Sequence, residues 1–184
     1  SLKTQDYAAE QTDITDDKMG RNRVFFLPYL MGERSPINDT DARGPFTGLS
    51  MNTTRSDMVQ AVLEGVAFAI RDSFEVAKSL DIDIKRSKIC GGGAKSPLWR
   101  KMIANVLNIS LDIPKTEEGP GYGGAMLAMV CCGEYESVDA CAEALLSVTE
   151  TIEPDPEIAA RYEDQYQKFS LIYPALKSVF PVLR

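Results

Sequence analysis

The stretch KICGGGAKSPLW, Lys88–Trp99, constrains the fold of this chain more than any other part of the sequence. An apolar, strand-like run enters three consecutive glycines. Ser96 and Pro97 follow soon after them, and these residue types favour the N-cap and the first position of a helix. Residues 82–90 therefore predict a strand, and residues 96–108 predict a helix. A strand that passes through a tight turn into a helix is the building unit of α/β folds.

The rest of the chain also alternates predicted helices with predicted strands, so the expected fold class is α/β. Thr54 and Asp57 form a capping-box pattern, and apolar residues recur every three or four positions after them, which predicts one long helix. The predicted helices cover residues 2–11, 54–81, 125–132, 137–146 and 155–180, the last with a kink at Pro174. The other predicted strands cover residues 23–30, 109–114 and 148–154. We expect a single domain over residues 1–184, in which residues 1–23 are a leading helix and loop.

Charge and residue usage argue against several classes of function. The formal net charge is −7 and the 20 Lys and Arg residues form no extended basic cluster, so no nucleic-acid partner is expected. The absence of His removes the commonest general base and metal ligand, and no side-chain metal site is expected. No apolar run approaches roughly 18 residues, so no membrane partner is expected. The four cysteines form no C-x-x-C pair, which favours buried free thiols in a reducing, cytoplasmic setting.

Two glycine motifs resemble known phosphate-binding loops, but each departs from the loop that it resembles. GGGAKS resembles the end of a P-loop, but Ala94 stands where that motif requires Gly, and Ile89 stands at its first glycine position. Gly119–Gly124 matches G-x-G-x-x-G, yet Pro120 lacks one of the N–H groups that would face a pyrophosphate, and no second mononucleotide half follows. Both interpretations are therefore disfavoured.

Two interpretations of the Gly91–Ala94 turn remain open. Glycines let a flat adenine or ribose lie directly on the main chain, and the helix that begins after Ser96 offers unpaired N–H groups to a ligand. Alternatively, the glycines only allow a tight turn to pack closely between a strand and a helix.

A second stretch, GPFTGLSMNTTRSDMVQAVLE, resembles the C-terminal motif of the FGGY carbohydrate kinases. That motif reads G-x-aromatic-x-G-aliphatic, a seven-residue spacer, then acid-aliphatic-x-x-A-aliphatic-aliphatic-acid. The chain matches it at ten positions: Gly44, Phe46, Gly48, Leu49, Asp57, Met58, Ala61, Val62, Leu63 and Glu64. GGGAKSPLWRKMIANVLN resembles the family's adenosine motif, and the resemblance runs from about Val24 onward.

The resemblance implies an actin-like, ribonuclease-H-like ATPase domain, the C-terminal domain of a two-domain sugar kinase, without that domain's first strands. It implies ATP and Mg²⁺ as cofactors and transfer of the γ-phosphoryl group to a sugar hydroxyl, with D-xylulose as the first substrate. Gluconate, ribulose and glycerol are alternative substrates, and a non-catalytic actin-like nucleotide-binding module is an alternative function. In the family the catalytic base and the sugar pocket lie in an N-terminal domain. We therefore expect no catalytic residue within this chain, no sugar phosphorylation by it alone, a sugar partner held by the other domain, and a possible homodimer.

The resemblance also assigns roles to single residues. Gly92, Gly93 and Ala94 are expected to lie against the adenosine, and Ser96 and Pro97 are expected to begin the helix that borders it.

Structural roles are expected for other polar and aromatic side chains. Glu33, Arg34, Asp41 and Arg43 are expected to order a loop through carboxylate–guanidinium pairs, which are strong hydrogen-bonded contacts. Glu64 is expected to cap neighbouring main chain, not to act as a base. Trp99 is expected to pack behind the glycine turn.

Overall fold

A computed structural model describes residues 9–115 and 119–183 of the chain. The strands are β1 (Phe25–Phe26), β2 (Phe46–Thr47), β3 (Arg86–Lys88), β4 (Ser110–Pro114) and β5 (Val148–Ile152). The α-helices are α1 (Arg55–Ser79), α2 (Pro97–Leu107), α3 (Gly119–Cys131), α4 (Val138–Leu145), α5 (Pro156–Phe169) and α6 (Ile172–Leu176). Short 3₁₀ segments lie at Ala9–Gln11, Gly92–Lys95 and Phe180–Leu183. The helix predicted over residues 2–11 falls mostly outside the described residues.

A three-stranded sheet in the order β3-β4-β5 carries the α/β part of the domain. Strands β3 and β4 are parallel, with Arg86 opposite Ser110, and α2 forms the crossover between them. Strand β5 pairs antiparallel with β4, with Ile152 opposite Leu111. A separate antiparallel pair, β1 and β2, accounts for the rest of the described strands.

Strand β1 is much shorter than the predicted strand over residues 23–30. The Leu27 N–H still donates to the Pro45 carbonyl at 3.2 Å, but Pro28 has no N–H to continue the ladder. The segment then turns, and Glu33 and Asp39 form an isolated antiparallel bridge further along. The apolar composition of this segment therefore reflects burial more than strand length, since Tyr29 is almost fully buried.

Helix α1 begins where the capping-box pattern predicts. The Thr54 side chain accepts from the Asp57 N–H, and the Asp57 carboxylate accepts from the Thr54 N–H at 2.8 Å. The buried face of the helix is rich in small residues, and Gly65 contacts the main chain of β1 directly. A Cβ at Gly65 would overlap the carbonyl oxygen of Phe26. The small side chains therefore allow the helix to lie on β1 at backbone distance.

The main core lies between α1, α2 and α5. Aromatic rings meet at its centre, where Phe68 packs against Phe169 and, edge to face, against Tyr162. Met102 and Val106 of α2 are fully buried on the other side of the same cluster. The predicted apolar stripe of α1 and the apolar face of α2 therefore converge on one core.

The segment before β1 is tied to elements that lie far from it in sequence. The Arg55 guanidinium pairs with the Glu10 carboxylate at 2.5 Å, and the Lys101 ammonium pairs with Asp16 at 2.5 Å. The Arg161 guanidinium in α5 donates to the Asp17 carbonyl at 3.0 Å, across 144 positions of sequence. The segment therefore joins α1, α2 and α5 along one side of the core.

The C-terminal helix breaks earlier than predicted. The kink expected at Pro174 was wrong, because α5 ends at Phe169 and a new short helix, α6, begins at Ile172. A proline inside a helix clashes with the carbonyl four residues before it, here that of Ser170, and it cannot donate to that carbonyl. Breaking the helix at Ser170 moves Pro174 into the first turn of α6, where these penalties are small.

Helix α3 differs from the expected glycine turn followed by a helix. It begins at Gly119, so the glycines of the G-x-G-x-x-G pattern lie inside the helix and form no loop. Its end follows the prediction, since Gly133 has a φ of +79° and the Glu134 N–H donates back to Met129 O at 3.0 Å. Among the described residues, no helix combines the length and the apolar character that crossing a bilayer requires.

The four cysteines are free, as expected, but the expected burial was wrong for three of them. Cys90, Cys131 and Cys132 are exposed, and only Cys141 is buried. The apolar run around Cys131 misled the prediction because α3 packs on one side only, with Met126 as its buried residue.

Thiol labelling is expected to distinguish the three exposed cysteines from the buried one. A disulfide reagent such as Ellman's should modify three thiols in the native chain and the fourth only after denaturation, because Cys141 has no solvent access. Cys141→Ala should leave the native count at three and lower the denatured count by one. Rapid reaction of all four native thiols would contradict the burial of Cys141.

Candidate functional site

The glycine turn leaves β3 and enters α2 through one 3₁₀ turn. Gly91 has a φ of +94°, and the Ala94 N–H and the Ser96 N–H donate to Gly91 O and Gly93 O, both at 3.1 Å. The Ser96 hydroxyl then caps α2 by accepting the Trp99 N–H at 3.2 Å. Pro97 occupies the first helical position, as predicted. The turn is therefore fixed at both ends by its own hydrogen bonds.

The three glycines of the turn lie in different surroundings. Gly91 needs a positive φ, which side chains other than glycine rarely adopt. A Cβ at Gly93 would overlap the Trp99 ring, so this glycine serves packing. Nothing lies within 4 Å of a Cβ built at Gly92, so its main chain faces open space. The packing interpretation therefore applies to Gly93, and Gly92 leaves room beside the main chain.

Trp99 packs as expected. Its ring lies against Gly93 and its Nε1–H reaches the Leu63 carbonyl at 3.4 Å, so it joins the turn to α1 and is partly buried against the core.

A cleft of about 860 Å³ lies beside the turn. One wall is the N-terminal part of α2 with the glycine turn, and the opposite wall is α1, which contributes Val62, Leu63 and Val66. Gln11 and Thr12 also line it. Four of the five predicted contact residues line this cleft: Gly92, Gly93, Ser96 and Pro97.

Ala94 lies elsewhere. It lines a smaller cavity of about 260 Å³ on the other side of the turn, together with Cys90, Arg100 and the ends of β3 and β4. Lys95 borders both cavities. The five residues therefore do not form one surface, because a 3₁₀ turn points successive residues in different directions.

The glycines of α3 contact nothing closely. The sequence predicts that Gly119, Gly121, Gly123 and Gly124 let α3 lie close to a bound nucleotide, and this stays a prediction. Within the described part of the chain, a Cβ at any of these positions would have nothing within 4 Å.

The loop between β1 and β2 is ordered mainly through main-chain groups. Glu33 and Asp39 exchange N–H to carbonyl hydrogen bonds of 2.9 and 2.8 Å, and the Glu33 carboxylate accepts the Ser35 N–H. The Arg43 guanidinium donates to the carbonyls of Thr40 and Ala42. The Asp39 carboxylate accepts the Tyr173 hydroxyl at 2.7 Å, which lowers the pKa of Asp39. Arg43 thus orders the loop through carbonyls where we predicted a carboxylate.

Glu64 is the most deeply buried carboxyl group of the described residues. Its Oε1 accepts the Gln60 amide at 2.7 Å and the Tyr162 hydroxyl at 3.0 Å, and Gly20 and Asn22 add further hydrogen bonds. Burial outweighs these donors and raises the pKa of Glu64 to about 7. Glu64 links α1, α5 and the segment before β1, a wider role than the local capping we expected.

A half-buried acid, Asp72, lies further along α1. The Asp72 carboxylate accepts the Tyr166 hydroxyl at 2.7 Å and the Tyr29 hydroxyl at 3.4 Å. Burial raises the pKa of Asp72 above its ordinary value. The neighbouring Arg71 guanidinium pairs with Glu163 and lies 4.1 Å from the centre of the Tyr166 ring, so this network fastens α5 to α1.

The match to a family model decides the relationship of the chain to known proteins. Residues 2–132 match the C-terminal domain of the FGGY family of carbohydrate kinases. The chain belongs to the FGGY family. Its solved neighbours in the family have the actin-like ATPase fold, so the predicted fold class is confirmed.

Several FGGY kinases resemble this domain over most of its length. A xylulose kinase of Staphylococcus epidermidis is 36% identical over 162 residues, covering 88% of the chain and 33% of that protein. The crystal structure of a xyloylose kinase from Brucella ovis is 36% identical with a TM-score of 0.80, covering 89% of the chain and 35% of its own. Gluconate kinase from Lactobacillus acidophilus is 28% identical, also with a TM-score of 0.80, covering 90% and 33%. The chain therefore spans about a third of the length of the relatives it matches.

Sequence reasoning missed part of the wall of the larger cleft in this FGGY domain. Val62 and Leu63 belong to the family motif, but their spacing indicated core positions. Val62 is 37% exposed in the structure. The apolar stripe of α1 is therefore wider than the part of it that the core covers. Gln11 carried no local signal, because only the folded chain brings it to Ser96.

Proposed function

We propose that this domain binds the adenosine part of ATP in a sugar kinase that transfers the γ-phosphoryl group to a sugar hydroxyl. D-xylulose, converted to D-xylulose 5-phosphate, is the first candidate substrate. One observation carries the structural part of the proposal: the open main chain of Gly92 borders the larger cleft, whose walls are apolar on both sides. The names of the relatives support the choice of reaction.

The larger cleft fits an adenine nucleoside by size and by chemistry. Its volume of about 860 Å³ lies in the usual range of small-molecule sites, roughly 300–1,000 Å³. Val62, Val66 and Leu98 offer apolar contact to a flat base, and the Gly92 main chain allows a ribose to approach without meeting a Cβ. We place the adenosine here, and the phosphates beyond the turn.

ATP supplies the phosphoryl group when it is bound. The residues of this domain contribute by holding the nucleotide still, and catalysis of phosphoryl transfer depends largely on such positioning and on neutralising charge. Mg²⁺ belongs to the proposal as the companion of the phosphates. The described residues contain no group of three or more His, Cys, Asp or Glu side chains that could hold a metal ion, so in the proposal Mg²⁺ arrives bound to the phosphates of ATP.

The sugar is assigned from relatives only. Xylulose kinases match the chain at up to 36% identity, which favours D-xylulose. Gluconate is the second candidate, because a gluconate kinase matches the fold equally well. A cytoplasmic location, where ATP is available, completes the proposal, and a homodimer stays a prediction.

Gly92→Val is expected to raise the KM for ATP about tenfold in the intact kinase that carries this sequence, because the new side chain would occupy the edge of the cleft. Tenfold corresponds to a loss of about 1.4 kcal/mol of binding. Steady-state kinetics with D-xylulose and direct titration with ADP measure the effect.

Ala160→Val is the matched control, since it adds a similar side chain on the exposed face of α5. An unchanged KM in Gly92→Val, at unchanged thermal stability, would reject the placement of the adenosine. A kinase that phosphorylates none of D-xylulose, gluconate, ribulose or glycerol would reject the proposed reaction.

A further inference from the structure

Gln11 lines the larger cleft, and its main chain is fixed from both sides. It ends the 3₁₀ segment Ala9–Gln11, and its carbonyl accepts the N–H of the buried Ile14 at 3.0 Å. The preceding Glu10 holds the Arg55 guanidinium through hydrogen bonds of 2.7 and 2.5 Å. The position of Gln11 beside the cleft is therefore built into the fold.

The side chain of Gln11 is oriented by the cap of α2. The Ser96 hydroxyl accepts the Trp99 N–H and donates its own proton to Gln11 Oε1 at 2.7 Å. Oε1 therefore points toward Ser96 and keeps one lone pair. Within residues 9–115 and 119–183, the Nε2 amide group forms no hydrogen bond. An oriented carboxamide with a spare acceptor and a spare donor thus borders a cleft whose other walls are largely apolar.

We propose that Gln11 reads the base of the nucleotide and selects adenine over guanine. The proposal rests on the proposed function, since it assumes that the base enters the larger cleft. A carboxamide pairs with adenine in a bidentate way, accepting from the N6 amino group and donating to N7. Guanine presents O6 in place of the amino group, so two acceptors would face each other at Gln11 Oε1.

Selectivity follows because the apolar part of the cleft cannot distinguish the two bases. Apolar walls contact both purines alike, whereas a polar group that loses its partner in a water-poor site carries a large penalty. One correct bidentate pair is worth about tenfold or more in discrimination. The proposal therefore assigns the choice of base to Gln11.

The test compares ATP with GTP in the intact kinase and in two variants. Gln11→Leu removes both polar groups and is expected to lower the ratio of kcat/KM for ATP to that for GTP at least about tenfold. Gln11→Glu keeps an acceptor for Ser96 but loses the donor to N7, so its kcat/KM for ATP is expected to fall while Ser96 keeps its partner. Dissociation constants of ADP and GDP should follow the same order.

The control separates base reading from a general loss of structure. Gln167→Leu makes the same change on the exposed face of α5 and should leave the ratio unaltered. If Gln11 only supports the cap of α2, Gln11→Leu weakens ATP and GTP by the same factor, and the ratio stays constant. That result overturns the inference while the proposed function stands. A wild-type kinase that binds neither ADP nor GDP overturns both.

Discussion

Gly65→Ala is expected to lower the free energy of unfolding of the domain by about 3 kcal/mol. The new methyl group would overlap the Phe26 carbonyl oxygen, which belongs to the main chain of β1 and cannot rotate away as a side chain could. Relief requires α1 and β1 to move apart, and their separation would loosen Ala61 and Phe68, which are buried beside the contact. Chemical denaturation followed by circular dichroism measures the loss.

The matched control is Gly124→Ala in α3. This glycine is also helical, but a Cβ there meets nothing within 4 Å, so the substitution should stabilise the domain by up to about 1 kcal/mol through helix propensity alone. The same chemical change is therefore expected to have opposite signs at the two sites. Equal stabilisation by both substitutions would show that α1 does not touch β1 at Gly65.

Glu64→Gln is expected to change how stability depends on pH. The folded-state pKa of about 7 lies above the ordinary value of 4.5, so the folded state holds this proton more tightly than the unfolded state. The stabilisation from the protonated group is fully present below pH 4.5 and is lost as the pH rises through 7. Relative to wild type, the variant should therefore gain about 2.5 kcal/mol between pH 5 and pH 8.

Subtracting the wild-type curve of unfolding free energy against pH from that of Glu64→Gln isolates the contribution of Glu64. The raised pKa of Asp72 acts in the same direction, but it is present in both proteins and cancels. The pKa values of Glu10 and Asp39 are lowered in the folded state, so these groups change stability only at acid pH. Their stabilisation is lost as the pH falls through their folded-state pKa values. Glu136→Gln, at an exposed position, should give a flat difference. A flat difference for Glu64→Gln as well would mean that Glu64 is ionised in the folded state at pH 5.

The helices and their caps followed from local sequence. Thr54 and Ser96 cap α1 and α2 as expected, and Ser137 caps α4, because capping depends on residues within one turn of each other. The predicted strands over residues 109–114 and 148–154 also lie close to the observed β4 and β5. The break before α6 was missed because Pro174 acts on a carbonyl four positions earlier, so the helix ends at a residue that carries no signal of its own.

The candidate site was only half predictable. The turn at Gly92 and Gly93 is a local feature, and its position beside α2 followed from Ser96. The wall formed by α1 and the contact from Gln11 depend on how distant segments pack, which periodicity does not encode. Ala94 was grouped with its neighbours because they are adjacent in sequence, whereas the 3₁₀ turn sends it to the opposite side. The Glu64–Tyr162 pair, 98 positions apart, was missed for the same reason.

The contact between Arg161 and the Asp17 carbonyl has a consequence for biosynthesis. A ribosome delivers the chain from its N-terminus, so the acceptor emerges long before its donor, and a loop of 144 positions must close before this side of the core is complete. Until α5 has left the exit tunnel, the partly made chain exposes the apolar faces of α1 and α2. Nascent chains of this domain should therefore be held by chaperones until α5 has been translated, and stalled chains that end before Pro156 should be cut rapidly by proteases.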